Sequence, residues 1–96
     1  MKINYTSPIF IVDDDPFWTA LLKQMLTSLG YTNISNFVNG ADALRNLHVN
    51  PAVIFLDYEM KEMNGLEALQ KIMLYNDSFS VVICSSQRDI KVAVQA

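Results

Sequence analysis

Three short apolar runs in this sequence each end abruptly at residues that carry an acid or a hydroxyl group. The residues that follow the three runs are, in chain order, Asp13 to Asp15, Asp57 and Ser85. In an open parallel sheet, the carboxyl ends of neighbouring strands share one edge, and ligands bind there. We therefore expect three separated segments of the chain to deliver carboxylates and a hydroxyl to one small site.

The segments between these runs have the spacing of amphipathic helices, which predicts βαβ units and a parallel sheet. A first helix is expected to begin at Pro16, because proline has no N–H to leave unpaired there, and to end at Gly30. The predicted strands are Pro8 to Val12, Ile34 to Val38, Ala52 to Leu56 and Phe79 to Cys84.

Two further helices carry asparagine start signals. Asn39 and Asn64 stand at N-cap positions, with Asp42 and Glu67 three residues later in the first turn. The residues expected to face inward are Ala43, Leu44 and Leu47 on the second helix, and Leu66, Leu69, Ile72 and Met73 on the third. A fourth helix is expected to open at Ser86 and to carry Ile90, Ala93 and Val94.

The composition indicates one globular domain, residues 1–96, because 51% of the residues are hydrophobic and only 18% are charged. The net charge of −3 and the lack of a Lys/Arg cluster exclude a nucleic-acid footprint in this segment. No apolar run approaches the ~20 residues that a membrane span needs. A single cysteine, Cys84, cannot form an internal disulfide, so we expect a cytoplasmic protein.

Carboxylates that converge raise each other's pKa unless a cation neutralises them. The usual cation for oxygen ligands of this kind is Mg²⁺, held by one or two carboxylates together with waters and a phosphate. An aspartate beside Mg²⁺ can attack a phosphoryl group and form an aspartyl phosphate. A serine hydroxyl at the next strand end could then donate a hydrogen bond to a phosphoryl oxygen.

Taken in order, these segments resemble the receiver domain of two-component response regulators. The resemblance runs from about Ile9 to Ala96, and it rests on Ile9 to Pro16, Leu29 to Tyr31, Asn39 to Leu44, Ile54 to Met60, Met63 to Gly65 and Val81 to Ser86. It implies a flavodoxin-like, doubly wound parallel sheet of order 2-1-3-4-5. The first four strands would be present here, and the fifth strand and fifth helix would be absent.

The resemblance also implies a role for each site residue. Asp57 would be the phosphoacceptor, and Ser85 would be the switch hydroxyl that follows the phosphoryl group. Asp14 would bind Mg²⁺ directly, Asp13 would act more through water, and the backbone carbonyl of Glu59 would complete the metal shell. The donor would be a phosphohistidine on a sensor histidine kinase or a histidine phosphotransfer protein. The domain would catalyse only its own phosphorylation and would not otherwise be an enzyme.

The sequence departs from the family pattern at two places. Lys61 stands where the family usually has proline, which frees the loop after Asp57 without removing a ligand. The fifth strand and its lysine are missing, so we expect impaired phosphorylation of this chain and an exposed apolar edge at Phe79 to Cys84. The chain is then either a piece of a longer protein, which we favour, or one that completes itself through a homodimer or a strand-completing association.

Two other functions are compatible with parts of the pattern. A pseudo-receiver that never accepts phosphate would be a pure interaction module, although such modules usually lose the acceptor or the acidic pair. A haloacid-dehalogenase-like Mg²⁺ phosphohydrolase would use the Asp-x-Asp formed by Asp13 and Asp15. The position of the modified aspartate distinguishes the hydrolase from the receiver, because the hydrolase would be modified at Asp13 and the receiver at Asp57.

Overall fold

The computed structural model describes residues 3–84 and 90–94, with side chains described for residues 3–84. Each predicted strand is confirmed to within one residue at either end, and the first three helices are confirmed as well. The elements are β1 Ile9–Val12, α1 Pro16–Ser28, β2 Ile34–Phe37, α2 Gly40–Arg45, a short 3₁₀ helix Leu47–Val49, β3 Val53–Asp57, α3 Gly65–Tyr75, β4 Ser80–Cys84 and β5 Ile90–Val94.

One sheet runs through the molecule in the order β2-β1-β3-β4-β5. Its first four strands are parallel, which confirms the predicted order 2-1-3-4 of an α/β fold. Val12 at the end of β1 is paired with Leu56 of β3, and Asp57 of β3 is paired with Cys84 of β4. The carboxyl ends of these three strands therefore lie level at one edge of the sheet.

The prediction of a fourth helix is wrong for residues 90–94, which form β5 and pair antiparallel with β4. Ile90, Val92 and Val94 place a β-branched residue at every second position, which favours an extended strand. The outer edge of β4 also offers backbone groups that need partners. β5 satisfies them, so the expected bare edge at β4 is covered, although by an antiparallel strand and not by the parallel fifth strand of the resemblance.

The two faces of the sheet carry two separate apolar cores. Phe10 and Val12 of β1 point to the face covered by α2 and α3, where they pack with Ile54, Leu56 and Val81. Ile9 and Ile11 point to the opposite face, where α1 contributes Leu22 and Leu26. Helices on both faces are what the continuous apolar runs of β1 and β3 predicted.

The start signals of the helices are confirmed by their hydrogen bonds. Asp15 caps α1 by accepting from the N–H groups of Phe17 and Trp18, and Asn39 caps α2 by accepting from Asp42 at 2.8 Å. The inward-facing residues predicted for the second helix all pack in the core, although Leu47 lies in the 3₁₀ helix that follows α2. On α3 the prediction is wrong for Leu66, which is half exposed, because the inner positions are taken by Ala68 and Ile72, with Leu69 and Met73 packed beside them.

Candidate metal and phosphoryl site

The acidic site follows directly from the strand register. Asp13 is the residue after β1, and Asp57 is the last residue of β3, the neighbouring parallel strand. Because Val12 and Leu56 are paired, the next residue along each strand brings the two carboxylates to the same point of the sheet edge. Asp14 adds a third carboxylate, and one oxygen from each of the three side chains lies within 4.8 Å of the other two.

Asp13 and Asp57 are almost completely buried, with exposed fractions of 5% and 4%. Backbone N–H groups stabilise both: Asp15 donates to Oδ1 of Asp13 at 2.8 Å, and Glu59 donates to Oδ1 of Asp57 at 3.2 Å. Each carboxylate therefore has one oxygen held by the backbone at its own strand end. A side-chain hydrogen bond between Asp13 and Asp57 partly offsets the rise in the pKa of Asp57.

Burial is the main reason that the charged forms are disfavoured. It raises the pKa of Asp13 to about 6, and the neighbouring carboxylates of Asp57 and Asp14 raise it further against the hydrogen bond from Asp15. Burial also raises the pKa of Asp57, and the negative charge of Asp14 adds to the rise. The ionised forms of these carboxylates are therefore unfavourable, and a bound cation would stabilise them.

The donor set suits magnesium. Three carboxylates supply hard oxygen ligands, which Mg²⁺ prefers, and the cluster is open to water on one side through the partly exposed Asp14. Within residues 3–84, no lysine or arginine forms an ion pair with these acids, and the ion pair found there joins Arg45 to Asp42 on α2. A divalent cation would therefore supply the positive charge that this part of the protein lacks.

The loop after Asp57 is fixed in place by α3. Tyr58 donates its N–H to the carbonyl of Cys84 at 2.9 Å, and Gly65 donates its N–H to the carbonyl of Tyr58 at 2.7 Å. A Cβ on Gly65 would lie 2.5 Å from the Tyr58 Cα and 2.7 Å from the Asp57 carbonyl oxygen. Only glycine allows the first turn of α3 to approach the acceptor strand this closely, a requirement that the sequence showed only as a turn signal.

Comparison with known proteins gives one consistent result. A family profile described as the response regulator receiver domain matches residues 9–96. The chain belongs to the response regulator receiver domain family. It is similar to the chemotaxis protein CheY of Thermotoga maritima, with 29% identity over 92% of this chain and 74% of the relative. It is also similar to CheY of Listeria monocytogenes, with 33% identity over 92% of this chain and 75% of the relative.

The fold is likewise that of solved receivers. The structure of a CheX–CheY–BeF₃–Mg complex from Borrelia burgdorferi superimposes with a TM-score of 0.79 at 31% identity. The match covers 88% of this chain and 68% of that one. These matches cover most of this chain, and between 68% and 75% of the three proteins compared.

The roles predicted for Ser85 and Glu59 stay predictions. Ser85 lies outside the described residues, although Cys84 before it is paired with Asp57 across the β3–β4 ladder. Glu59 is exposed, and its backbone N–H contacts Asp57, whereas the role of its carbonyl stays a prediction. Asp15 is exposed and caps α1, so its carboxylate turns to the helix backbone.

A cavity of about 180 Å³ adjoins the acid cluster of the receiver domain. Asp14 lines it on one side, and Lys61, from the loop after Asp57, is exposed on another. The remaining lining residues are Val38, Asn39, Met60 and Glu62. The lysine that replaces the usual proline therefore stands beside the predicted metal site without belonging to the acid cluster.

No helix in the described parts of the receiver domain is long and apolar enough to cross a bilayer. Cys84 is a buried free cysteine at the end of β4. Burial raises the pKa of its thiol to about 11, and the negative charges of Asp13 and Asp57 add to the rise. The thiol therefore behaves as a small apolar group beside the site.

Proposed function

We propose that this receiver domain is a phosphorylation switch in which Asp57 accepts a phosphoryl group from a phosphohistidine. The observation that carries the proposal is the meeting of three carboxylates within 4.8 Å, two of them buried with a raised pKa. Negative charge collected in this way destabilises the fold unless it serves to hold a cation. A cation-dependent reaction at one of the three acids would account for this clustering of carboxylates.

Asp57 is the best nucleophile of the three. Its Oδ1 is held by the N–H of Glu59, and the approach of Gly65 fixes the backbone behind it. An oxygen of Asp57 would attack phosphorus while the phosphorus–nitrogen bond to the donor histidine breaks, and the histidine would leave with its electron pair and take up a proton. Asp13 and Asp14 would hold Mg²⁺, which when bound screens the charge on the transferring phosphoryl group.

The similarity to the Borrelia CheY, solved with BeF₃ and Mg, supports the same ligands here. The proposed donors are a sensor histidine kinase or a histidine phosphotransfer protein, and the proposed location is the cytoplasm, which suits the free thiol of Cys84. The backbone carbonyl of Glu59 is proposed as a further metal ligand, and Ser85 as the hydroxyl that responds to the phosphoryl group. We propose no other catalytic activity.

The decisive experiment incubates the protein with a small acyl phosphate and Mg²⁺ and follows the mass of the intact chain. We expect a slow addition of one phosphoryl group to this chain, which hydroxylamine removes and which EDTA prevents. Asp57→Asn should abolish the label, whereas Asp77→Asn, an exposed aspartate before β4, should leave it unchanged. A label that survives Asp57→Asn would refute the proposal, and a label on Asp13 would favour the phosphohydrolase.

A binding experiment distinguishes a receiver that accepts phosphate from a pseudo-receiver that does not. Beryllofluoride with Mg²⁺ should shift the amide resonances of residues next to Asp57, Asp13 and Cys84 in the wild-type protein but not in Asp57→Asn. An unchanged spectrum in the wild-type protein, together with the absence of a label, would assign the chain to the interaction modules.

A further inference from the structure

The cavity beside the acid cluster connects the predicted metal site to the loop after Asp57. Asp14 belongs both to the cluster and to the cavity wall, so the cavity opens directly onto the carboxylates. Its volume of about 180 Å³ leaves room for several water molecules. Mg²⁺ gives up its water reluctantly and usually keeps several water ligands in a protein site. The cavity therefore has the place and the size to hold water ligands of an ion bound at Asp14.

The wall of the cavity that the loop supplies is charged. Val38 and Met60 add apolar surface, and the side-chain oxygen of Asn39 is already used, because it accepts an N–H from the first turn of α2 at 2.8 Å. Lys61 and Glu62 complete the described lining, and both side chains are exposed. Two adjacent residues of opposite charge therefore line the space next to the metal site.

The charge of Lys61 acts across the cavity and not through an ion pair. Within residues 3–84, no lysine nitrogen lies within 4.0 Å of a carboxylate oxygen of the acid cluster. Opposite walls of a space of about 180 Å³ are roughly 7 Å apart. At such a separation in water, one unit charge changes the affinity of a divalent ion about threefold at an ionic strength of about 30 mM. Salt screens this effect, so it fades as the ionic strength rises.

Given the Mg²⁺ site of the proposed function, we propose that Lys61 and Glu62 set its affinity in opposite directions through the charges that they place in the cavity. Lys61 repels the ion and lowers the affinity. Glu62 attracts the ion and raises the affinity, and its carboxylate can accept hydrogen bonds from the water ligands. The lysine that stands where the family usually has proline thus makes this metal site weaker than an uncharged residue would.

The experiment titrates the protein with MgCl₂ at a constant ionic strength of about 30 mM and follows the amide resonances of residues 14, 15 and 58. Lys61→Met should bind Mg²⁺ about threefold more tightly than the wild-type protein, and Glu62→Gln about threefold more weakly. The double variant should return to within about 1.5-fold of the wild-type affinity, because the two charge changes cancel. In about 0.5 M KCl, each single substitution should change the affinity by less than about 1.5-fold.

Two further variants separate the charge at this position from other effects. Lys71→Met is the matched control, because Lys71 is an exposed lysine of α3 that is not among the described residues lining the cavity. Lys61→Arg keeps the positive charge. Both should bind Mg²⁺ within about 1.5-fold of the wild-type protein. Circular dichroism should show all variants folded, because each substituted side chain is exposed.

Three results would overturn the proposal while leaving the metal site in place. They are equal affinities in the wild-type protein and both single variants, a shift in the same direction in both, and an equal shift in Lys71→Met. A wild-type protein whose amide resonances do not respond to Mg²⁺ would refute the metal site of the proposed function, and the roles of Lys61 and Glu62 with it. The two failures are therefore distinguished by the wild-type titration alone.

Discussion

Replacing Asp13 with asparagine should stabilise the metal-free protein at neutral pH. The carboxylate is 5% exposed and lies among the charges of Asp57 and Asp14. Asparagine keeps the side-chain oxygen that accepts the N–H of Asp15 at 2.8 Å, so the turn into α1 is preserved. The substitution therefore removes a buried charge and little else.

The size and pH range of this effect follow from the pKa. The pKa of Asp13 rises from 3.8 to about 6 on folding, which corresponds to at most about 3 kcal/mol. Water at the open sheet edge and relaxation of the neighbouring acids reduce this to about 1–2 kcal/mol. The folded state binds the proton more tightly than the unfolded state, so stability falls as pH rises from about 3.8 to about 6 and stays lower above that range.

Urea denaturation in EDTA at pH 7 and at pH 3.5 measures the size of the stabilisation and its dependence on pH. At pH 7, Asp13→Asn should unfold with a free energy about 1–2 kcal/mol above that of the wild-type protein, equivalent to roughly 5–10 °C in Tm. At pH 3.5 the difference should fall below about 0.5 kcal/mol, because the wild-type side chain is then protonated in the folded state and mostly protonated in the unfolded state. Added Mg²⁺ should narrow the difference at pH 7 by stabilising the wild-type protein more.

The control is Asp15→Asn, which removes an exposed charge and keeps an equally good cap for α1. It should change the free energy of unfolding by less than about 0.5 kcal/mol at either pH. An Asp13→Asn protein that is less stable than the wild-type protein at pH 7 would refute the reasoning. A gain of the same size at both pH values would also refute it.

Two further predictions concern the surroundings of the site. Gly65→Ala should lower the free energy of unfolding by about 2–4 kcal/mol, because its Cβ would meet the Tyr58 Cα at 2.5 Å. Gly40→Ala should lose much less in the same urea titration, because its Cβ would meet the flexible end of Met63 at 2.9 Å and the Ala68 Cβ at 3.4 Å. Equal losses would show that backbone crowding is not the cause. Iodoacetamide at pH 8 should modify the Cys84 thiol at least about a hundredfold more slowly in the native protein than in urea, since burial raises its pKa to about 11. Rapid native labelling would contradict this burial.

The sequence predicted those features that depend on a regular apolar pattern or on contacts between residues a fixed number of positions apart. The apolar runs predicted the four parallel strands, because strands covered on both faces must be apolar throughout. The caps at Asn39 and Asn64 could be predicted because each side chain accepts a hydrogen bond from an N–H three residues away. These contacts are local, and the residues that make them are close in the sequence.

The two wrong predictions come from positions where periodicity is ambiguous. Residues 90–94 satisfy a helical spacing at Ile90, Ala93 and Val94, yet they also alternate as a strand, and the open edge of β4 decided between the two. Leu66 has the spacing of an inner residue, but the small Ala68 packs closer to the sheet and turns Leu66 outward. In both cases a long-range contact outweighed the local pattern.

The acidic site depends both on the sequence and on the tertiary structure. The sequence by itself supplied the residue types and placed Asp13, Asp14 and Asp57 at strand ends, since a run of apolar residues must stop where the chain meets water. Only the tertiary structure decided that β1 and β3 are paired in the register that brings these acids within 4.8 Å, and how deeply each is buried. The physical reason is that register, burial and the resulting pKa are set by neighbours that lie about 40 residues away in the chain, which no local pattern encodes.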